Sequence, residues 1–150
     1  MHPLHETIVI TATLPAPPGA VWEQLADPEL RLAWTVPPGQ ELVYDATDFS
    51  EGGREHYRCG PAGRLGLDGE VRYLRLIPGS LLVHSELLGT PEGPLSAALL
   101  SWELEDHGAT TRLRLCDQVT SFAGLAMIEG HCEGFAASLR QLEAVLASRA

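Results

Sequence analysis

The stretch LAMIEGHCEGFAASLRQLEAVL, Leu125 to Leu146, decides the architecture. Leu125, Ile128, Cys132, Phe135, Leu139, Leu142 and Leu146 recur at spacings of three and four. That period predicts one long amphipathic helix with a single apolar stripe, running to the end of the chain. At about 100° per residue, His131 falls roughly 60° from the centre of the stripe, on its flank. Gly130 and Gly134 fall almost opposite it. Each costs about 1 kcal/mol in a helix interior, and packing on a sheet does not account for them. A strip without side chains would let a second backbone approach closely, so a homodimer through that face is expected.

Working back from the helix, the chain from Leu42 to about Thr120 reads as strands joined by turns. The runs are Leu42–Thr47, Arg54–Cys59, Leu67–Ile77, Leu81–Leu88, Leu95–Glu105 and Thr110–Thr120. Gly52-Gly53, Gly60–Gly63, Pro78-Gly79, Gly89–Pro94 and Asp106–Gly108 punctuate them. Before these, Glu6–Leu14 alternates and is rich in β-branched residues, as a first strand is. Val21, Trp22 and Leu25 then fall at helical spacing behind a proline entrance. Asp27-Pro28 starts a second short helix, with Asp as cap, to about Trp34. The expected fold is α+β: a curved antiparallel sheet of about seven strands wrapped around the C-terminal helix, with two short helices after the first strand, as one domain over 1–150. An antiparallel sheet must cover its apolar face, and only the last helix is long enough to do so. Where the grip is incomplete, an apolar cavity remains between sheet and helix.

One hairpin can be phased. Pairing Leu104 with Thr111, Trp102 with Leu113 and Leu100 with Leu115 collects the apolar members on one face. The same register sets Ala98 opposite Asp117, which leaves a carboxylate on an otherwise apolar face. In the strand REHYRC, Arg54–Cys59, burial cost turns Glu55, Tyr57 and Cys59 inward. The reverse would bury two arginines and a histidine.

The bulk numbers exclude several functions. The net charge is −10, and all ten cations are arginine. So acidic a surface repels phosphate backbones and anionic lipid, so neither nucleic acid nor a membrane is an expected partner. The lack of lysine rules out Schiff-base chemistry. No apolar run has the length of a membrane span, and no basic-then-apolar signal segment follows Met1, so a cytoplasmic location is expected. Cys59, Cys116 and Cys132 form no CxxC pair.

Six strings in the same order resemble the START-like (SRPBCC) superfamily, the helix-grip fold. Within it they are most similar to bacterial homologues of the heat-shock-protein ATPase activator. The strings are PPGAVWEQLADPE (Pro17–Glu29) with Trp34 after it, DFSEGG (Asp48–Gly53), GPAG (Gly60–Gly63), YLRLIPGSLLVHSE (Tyr73–Glu86), LSWELEDHGATTRLRL (Leu100–Leu115) and GFAASLRQL (Gly134–Leu142). The resemblance covers nearly the whole chain and implies a deep apolar cavity between sheet and C-terminal helix. It implies little about function, because members of the superfamily bind, transport, cyclise or hydrolyse different small molecules.

Five residues are the candidate ligand-binding set: Trp34, Tyr57, Trp102, Asp117 and His131. Trp34 is expected near the cavity mouth, Tyr57 as a wall residue with an orienting hydroxyl, and Trp102 on the phased apolar face. Asp117 and His131 can pair as carboxylate and imidazole, a combination able to orient a carbonyl or act as general base. The commoner arrangement leaves Asp117 in water at a frayed strand end and His131 on the helix rim. His84 and Glu86, with Arg72 opposite, read as a surface cluster. EGHCEG, Glu129–Gly134, has the composition of a metal cluster, but His131 and Cys132 point about 100° apart on a helix, so no metal is expected. No cofactor is expected either. The leading expectation is a binding protein for a small hydrophobic or amphipathic molecule. Its rivals are a cyclase- or hydrolase-like enzyme using Asp117 and His131, and a co-chaperone-like protein-interaction domain.

Overall fold

The structure, a computed structural model, describes residues 2–149. The two end residues of the expected 1–150 span lie outside the described residues. Strand β1 (Leu4–Leu14) is followed by helices α1 (Pro18–Ala26) and α2 (Pro28–Arg31). Six strands come next: β2 (Gln40–Ala46), β3 (Arg54–Pro61), β4 (Leu67–Ile77), β5 (Leu81–Thr90), β6 (Gly93–Asp106) and β7 (Thr111–Ser121). The long helix α3 (Leu125–Ser148) ends the order. The seven strands form one antiparallel sheet in the order β1-β7-β6-β5-β4-β3-β2. This is the expected α+β architecture, and among the described residues no helix is long and apolar enough to cross a membrane.

Local chemistry sets the short helices. Proline occupies the first turn of both, and the Asp27 carboxylate accepts a hydrogen bond from the Glu29 N–H at 2.9 Å, satisfying one orphan donor of α2. The α-helical part of α2 ends at Arg31, before the expected Trp34, and a looser turn carries the chain on. There the Trp34 N–H bonds the Arg31 carbonyl at 3.2 Å. Gln141 on α3 donates to the Trp34 and Val36 carbonyls, and Ser138 to that of Thr35. The loop after α2 is thereby tied to the covering helix.

The β6–β7 hairpin keeps the expected faces but pairs two residues further along. Leu104 lies opposite Leu113, Trp102 opposite Leu115 and Leu100 opposite Asp117. The turn is centred one residue further along: Asp106 pairs with Thr111, and the Asp106 side chain accepts from the Gly108 N–H at 2.8 Å. A slip of two preserves every inward residue because side chains alternate with period two. What it changes is the neighbours of Asp117.

Helix α3 lies chiefly against β1 and β7. Leu139, Leu142 and Leu146 enter one core with Ile8, Leu113 and Leu115. The first half of the stripe behaves differently. Leu125 and Cys132 are exposed, while Met127, Gly130, His131, Gly134, Phe135 and Ser138 face a void. Both glycines are exposed and border the open side of that void. The physical reason is that the helix has nothing to pack on here, since the strands below it hold an open cavity.

Candidate functional site

The cavity measures about 390 Å³ and lies between the first half of α3 and strands β2–β6, closed at one end by α1, α2 and the loop after them. Register places its polar side chains in three neighbouring rows across the sheet. One row runs Tyr73, His84, Leu100, Asp117. The next runs Glu55, Val71, Glu86, Ala98, and the third Tyr57, Gly69, Leu88, Ser96. Glu55, Tyr57 and Cys59 all border the cavity, so REHYRC faces inward as burial cost requires.

Four polar groupings result. In the first, Arg31 from α2 makes a two-pronged ion pair with Glu55, at 2.6 and 3.1 Å. Tyr73 donates to the same Glu55 oxygen at 2.6 Å, and the guanidinium also donates to the hydroxyls of Tyr44 and Tyr73. Glu55 is 2 % exposed, so the pair survives burial only through this completeness. Burial works to lower the Arg31 pKa, but the Glu55 hydrogen bond and the surrounding charges outweigh it and raise it, so the guanidinium stays charged. Burial pushes the Tyr44 hydroxyl up to about 12, against the pull of Arg31.

The second grouping is Tyr57 donating to Glu86 at 3.1 Å. Burial raises the Glu86 carboxyl, with the Tyr57 bond and the nearby His131 acting against it. The ring of Tyr57 lies flat over Gly69, where any Cβ would overlap it. Glycine is required at that position by close approach.

In the third, the Trp102 indole N–H donates to His84 Nε2 at 3.0 Å, and the two rings stack with centroids 6.4 Å apart. Burial is the main cause of a low His84 pKa of about 4, opposed by the neighbouring Ser85 backbone. Among the described residues no partner stands in hydrogen-bond geometry to Nδ1. In the fourth, His131 Nδ1 donates to Asp117 at 2.6 Å, and Ser96 Oγ lies 3.0 Å from Nε2. The carboxylate can only accept, so a neutral His131 carries its proton on Nδ1 and takes a hydrogen bond from Ser96 on Nε2.

Residues 15–147 match the family described as Activator of Hsp90 ATPase homolog 1-like protein. The chain belongs to that family. It is thereby a member of the START-like (SRPBCC) superfamily. A crystal structure of a Rhizobium loti protein is 28 % identical, with a TM-score of 0.83 over 96 % of this chain and 99 % of that one. A Rhizobium leguminosarum structure, titled a putative uncharacterized protein, is 26 % identical with a TM-score of 0.85, over 98 % of this chain and 97 % of that one. A Chromobacterium violaceum structure at 22 % identity and a TM-score of 0.82, covering 93 % of this chain and 96 % of that one, shares the fold. No curated protein matches the chain.

In this Activator of Hsp90 ATPase homolog 1-like chain, Trp34, Tyr57, Trp102 and His131 border the one cavity. Asp117 does not: it is 0 % exposed and sits behind His131, which it holds. Trp34 is 2 % exposed and packs edge-on against Trp102 at 6.2 Å, so it is a wall residue rather than part of the mouth. The surface reading of His84 and Glu86 is overturned, since both line the cavity while Arg72 pairs with Ser85 on the outer face. Leu81–Leu88 carries leucines on both faces, so alternation there gave no direction. Arg31, Tyr73 and Ser96 went unremarked in the sequence. A signal for Arg31 existed in Glu55, because an inward carboxylate needs a cation. Among the described residues no cluster of metal-ligating side chains occurs.

Proposed function

We propose that the protein binds a small apolar or amphipathic molecule in the cavity between the sheet and α3. The observation that carries this reading is the void itself. Protein interiors close-pack, yet about 390 Å³ stays open behind mainly apolar walls, a size ordinary for small-molecule sites. Gly130 and Gly134 support it, because a side chain built at either meets nothing within 4 Å. The helix has room for better helix formers there and carries glycine instead. The polar groups are few and held by neighbours, which is what orienting an amphipathic guest requires. Titration with the neutral dye Nile red tests the reading. Saturable one-to-one uptake, competed by a small arene such as isopropylnaphthalene, is expected; uptake that never saturates would refute it.

A second reading is a cyclase- or hydrolase-like reaction with His131 as the polar actor and Asp117 orienting it. The contact chain Ser96–His131–Asp117 favours it, as it has the connectivity of a hydrolase triad. Ser96 is 1 % exposed and does not border the cavity, so the hydroxyl serves to hold the ring, and any chemistry falls to His131 as general base. In this reading Asp117→Asn abolishes hydrolysis of naphthyl acetate and leaves Nile red uptake in place. Loss of both together would make Asp117 a structural residue.

A further inference from the structure

Among the described residues, three buried N–H donors without a partner belong to residues that border the cavity, while the two acceptors without one, on Gln24 and Asp117, belong to residues that do not. Trp102 fixes the state of His84: an indole N–H only donates, so His84 Nε2 is bare and the proton of the neutral ring sits on Nδ1. Among the described residues no acceptor stands in hydrogen-bond geometry to that Nδ1–H, which has only the pull of the adjoining Ser85 backbone, and His84 is 7 % exposed and borders the cavity. The indole N–H of Trp34 has none either, and its ring packs on the same Trp102. The Nε–H of Arg31 is a third, on the residue that bonds Tyr73, whose ring lies 6.0 Å from His84. Buried donors without partners are rare in folded proteins, and each asks for an acceptor from outside the chain.

The charges on the walls decide what kind of acceptor. Arg31 is already matched by Glu55. Glu86 faces the cavity with only a tyrosine hydroxyl for partner, and the His131 ring on the wall is claimed by Asp117 behind it. A carboxylate or phosphate entering here would find no unclaimed cation among the described wall residues to offset its loss of hydration.

Resting on the ligand-binding reading above, we propose that the cavity's ligand carries an uncharged acceptor oxygen, a ketone- or ester-type carbonyl, received by the His84 Nδ1–H and the Trp34 indole N–H. The apolar remainder of the ligand lies along Val71, Leu82, Leu88 and Phe135. Burial keeps His84 neutral down to a pH of about 4.

The experiment uses four naphthalene probes of one shape, titrated into the whole protein by calorimetry: acetonaphthone, isopropylnaphthalene, naphthoate and naphthylethylammonium. The ketone should bind about tenfold more tightly than the hydrocarbon, which is what one hydrogen bond in a dry site supplies. Naphthoate should bind weakest. His84→Phe should shrink the ratio of ketone to hydrocarbon affinity toward one, and Trp34→Phe should reduce it in part. The carbonyl carbon of bound, labelled acetonaphthone should shift downfield in the wild-type protein only. Equal affinity for ketone and hydrocarbon in the wild type overturns the inference without touching the cavity reading, as does tightest binding of the ammonium or of naphthoate. If no probe binds, including the hydrocarbon, the cavity reading itself falls and this inference with it. The wild-type comparison stands even where a variant fails to fold.

Discussion

Trp102 donates to His84 Nε2, and burial holds the same ring near pKa 4, so the titration of this one residue should be visible in the stability of the fold. Unfolded, the imidazole titrates near its ordinary value of 6.5. Between these values the unfolded chain binds the extra proton, so the stabilisation is complete above pH 6.5 and is lost as the pH falls toward 4. The loss amounts to about 3 kcal/mol when complete. Glu86, whose carboxyl is raised, acts in the opposite sense: its contribution is present in acid and fades as pH rises through its folded pKa. Urea midpoints at pH 7 and pH 4.5 check this, and His84→Phe should flatten the dependence over that window. An unchanged slope in the variant would assign the acid loss elsewhere. The Arg31–Glu55 pair calls for a different test. Glu55→Gln leaves a buried guanidinium without its counter-charge and should cost about 3–5 kcal/mol. Adding Arg31→Met should recover part of that, and a double variant worse than the single would deny that the loss comes from the stranded charge. At this scale the sequence was legible for Tyr57, whose neighbours Arg54, His56 and Arg58 had to face out. It was not legible for His84, because leucines on both faces of β5 hid which side was inside.

Among the elements, α3 does two jobs along its length. Its second half is packed: Leu139 is 3 % exposed and belongs to the core. Leu139→Ala should therefore cost about 2–5 kcal/mol, read from denaturant midpoints with an unchanged slope. A variant that melts like the wild type would place the helix in another rotation. The first half spans the cavity, and this is where the periodic reading of the stripe lost its meaning. Leu125 and Cys132 fit the period yet are exposed, while Gly130 and Gly134, which break it, border the open side of the cavity. Periodicity reports which face is apolar and presumes a packed neighbour; across an open void that premise fails. The β6–β7 hairpin went astray for a comparable reason. Alternation settles faces but is indifferent to a slip of two, and the Asp106 side-chain bond within the turn is not visible in a hydrophobic pattern. The slip matters for the site: it sets Asp117 opposite Leu100 and in one row with His84.

For the whole molecule, the cavity is a place where packing and helix propensity are both set aside at the same positions. Two helical glycines sit over it, and a side chain at either would meet open space. If that space exists for a ligand, stability and uptake should separate cleanly on substitution at Gly134. Gly134→Ala removes the flexibility of glycine from a helix interior and should raise stability by about 1 kcal/mol, with Nile red uptake little altered because one methyl hardly fills the void. Gly134→Leu keeps the propensity gain and adds an isobutyl group at a residue that borders the cavity, next to the wall residue Phe135. It should be at least as stable as the wild type while its uptake of Nile red falls at least about tenfold, the loss of a site rather than of one contact. Thermal melts and dye titrations on the same three proteins measure both quantities. A Gly134→Leu variant that unfolds would show that the space is not open in solution. One that is stable and binds dye as before would show that the dye sits elsewhere, and the void would then be a packing defect with no ligand to explain it.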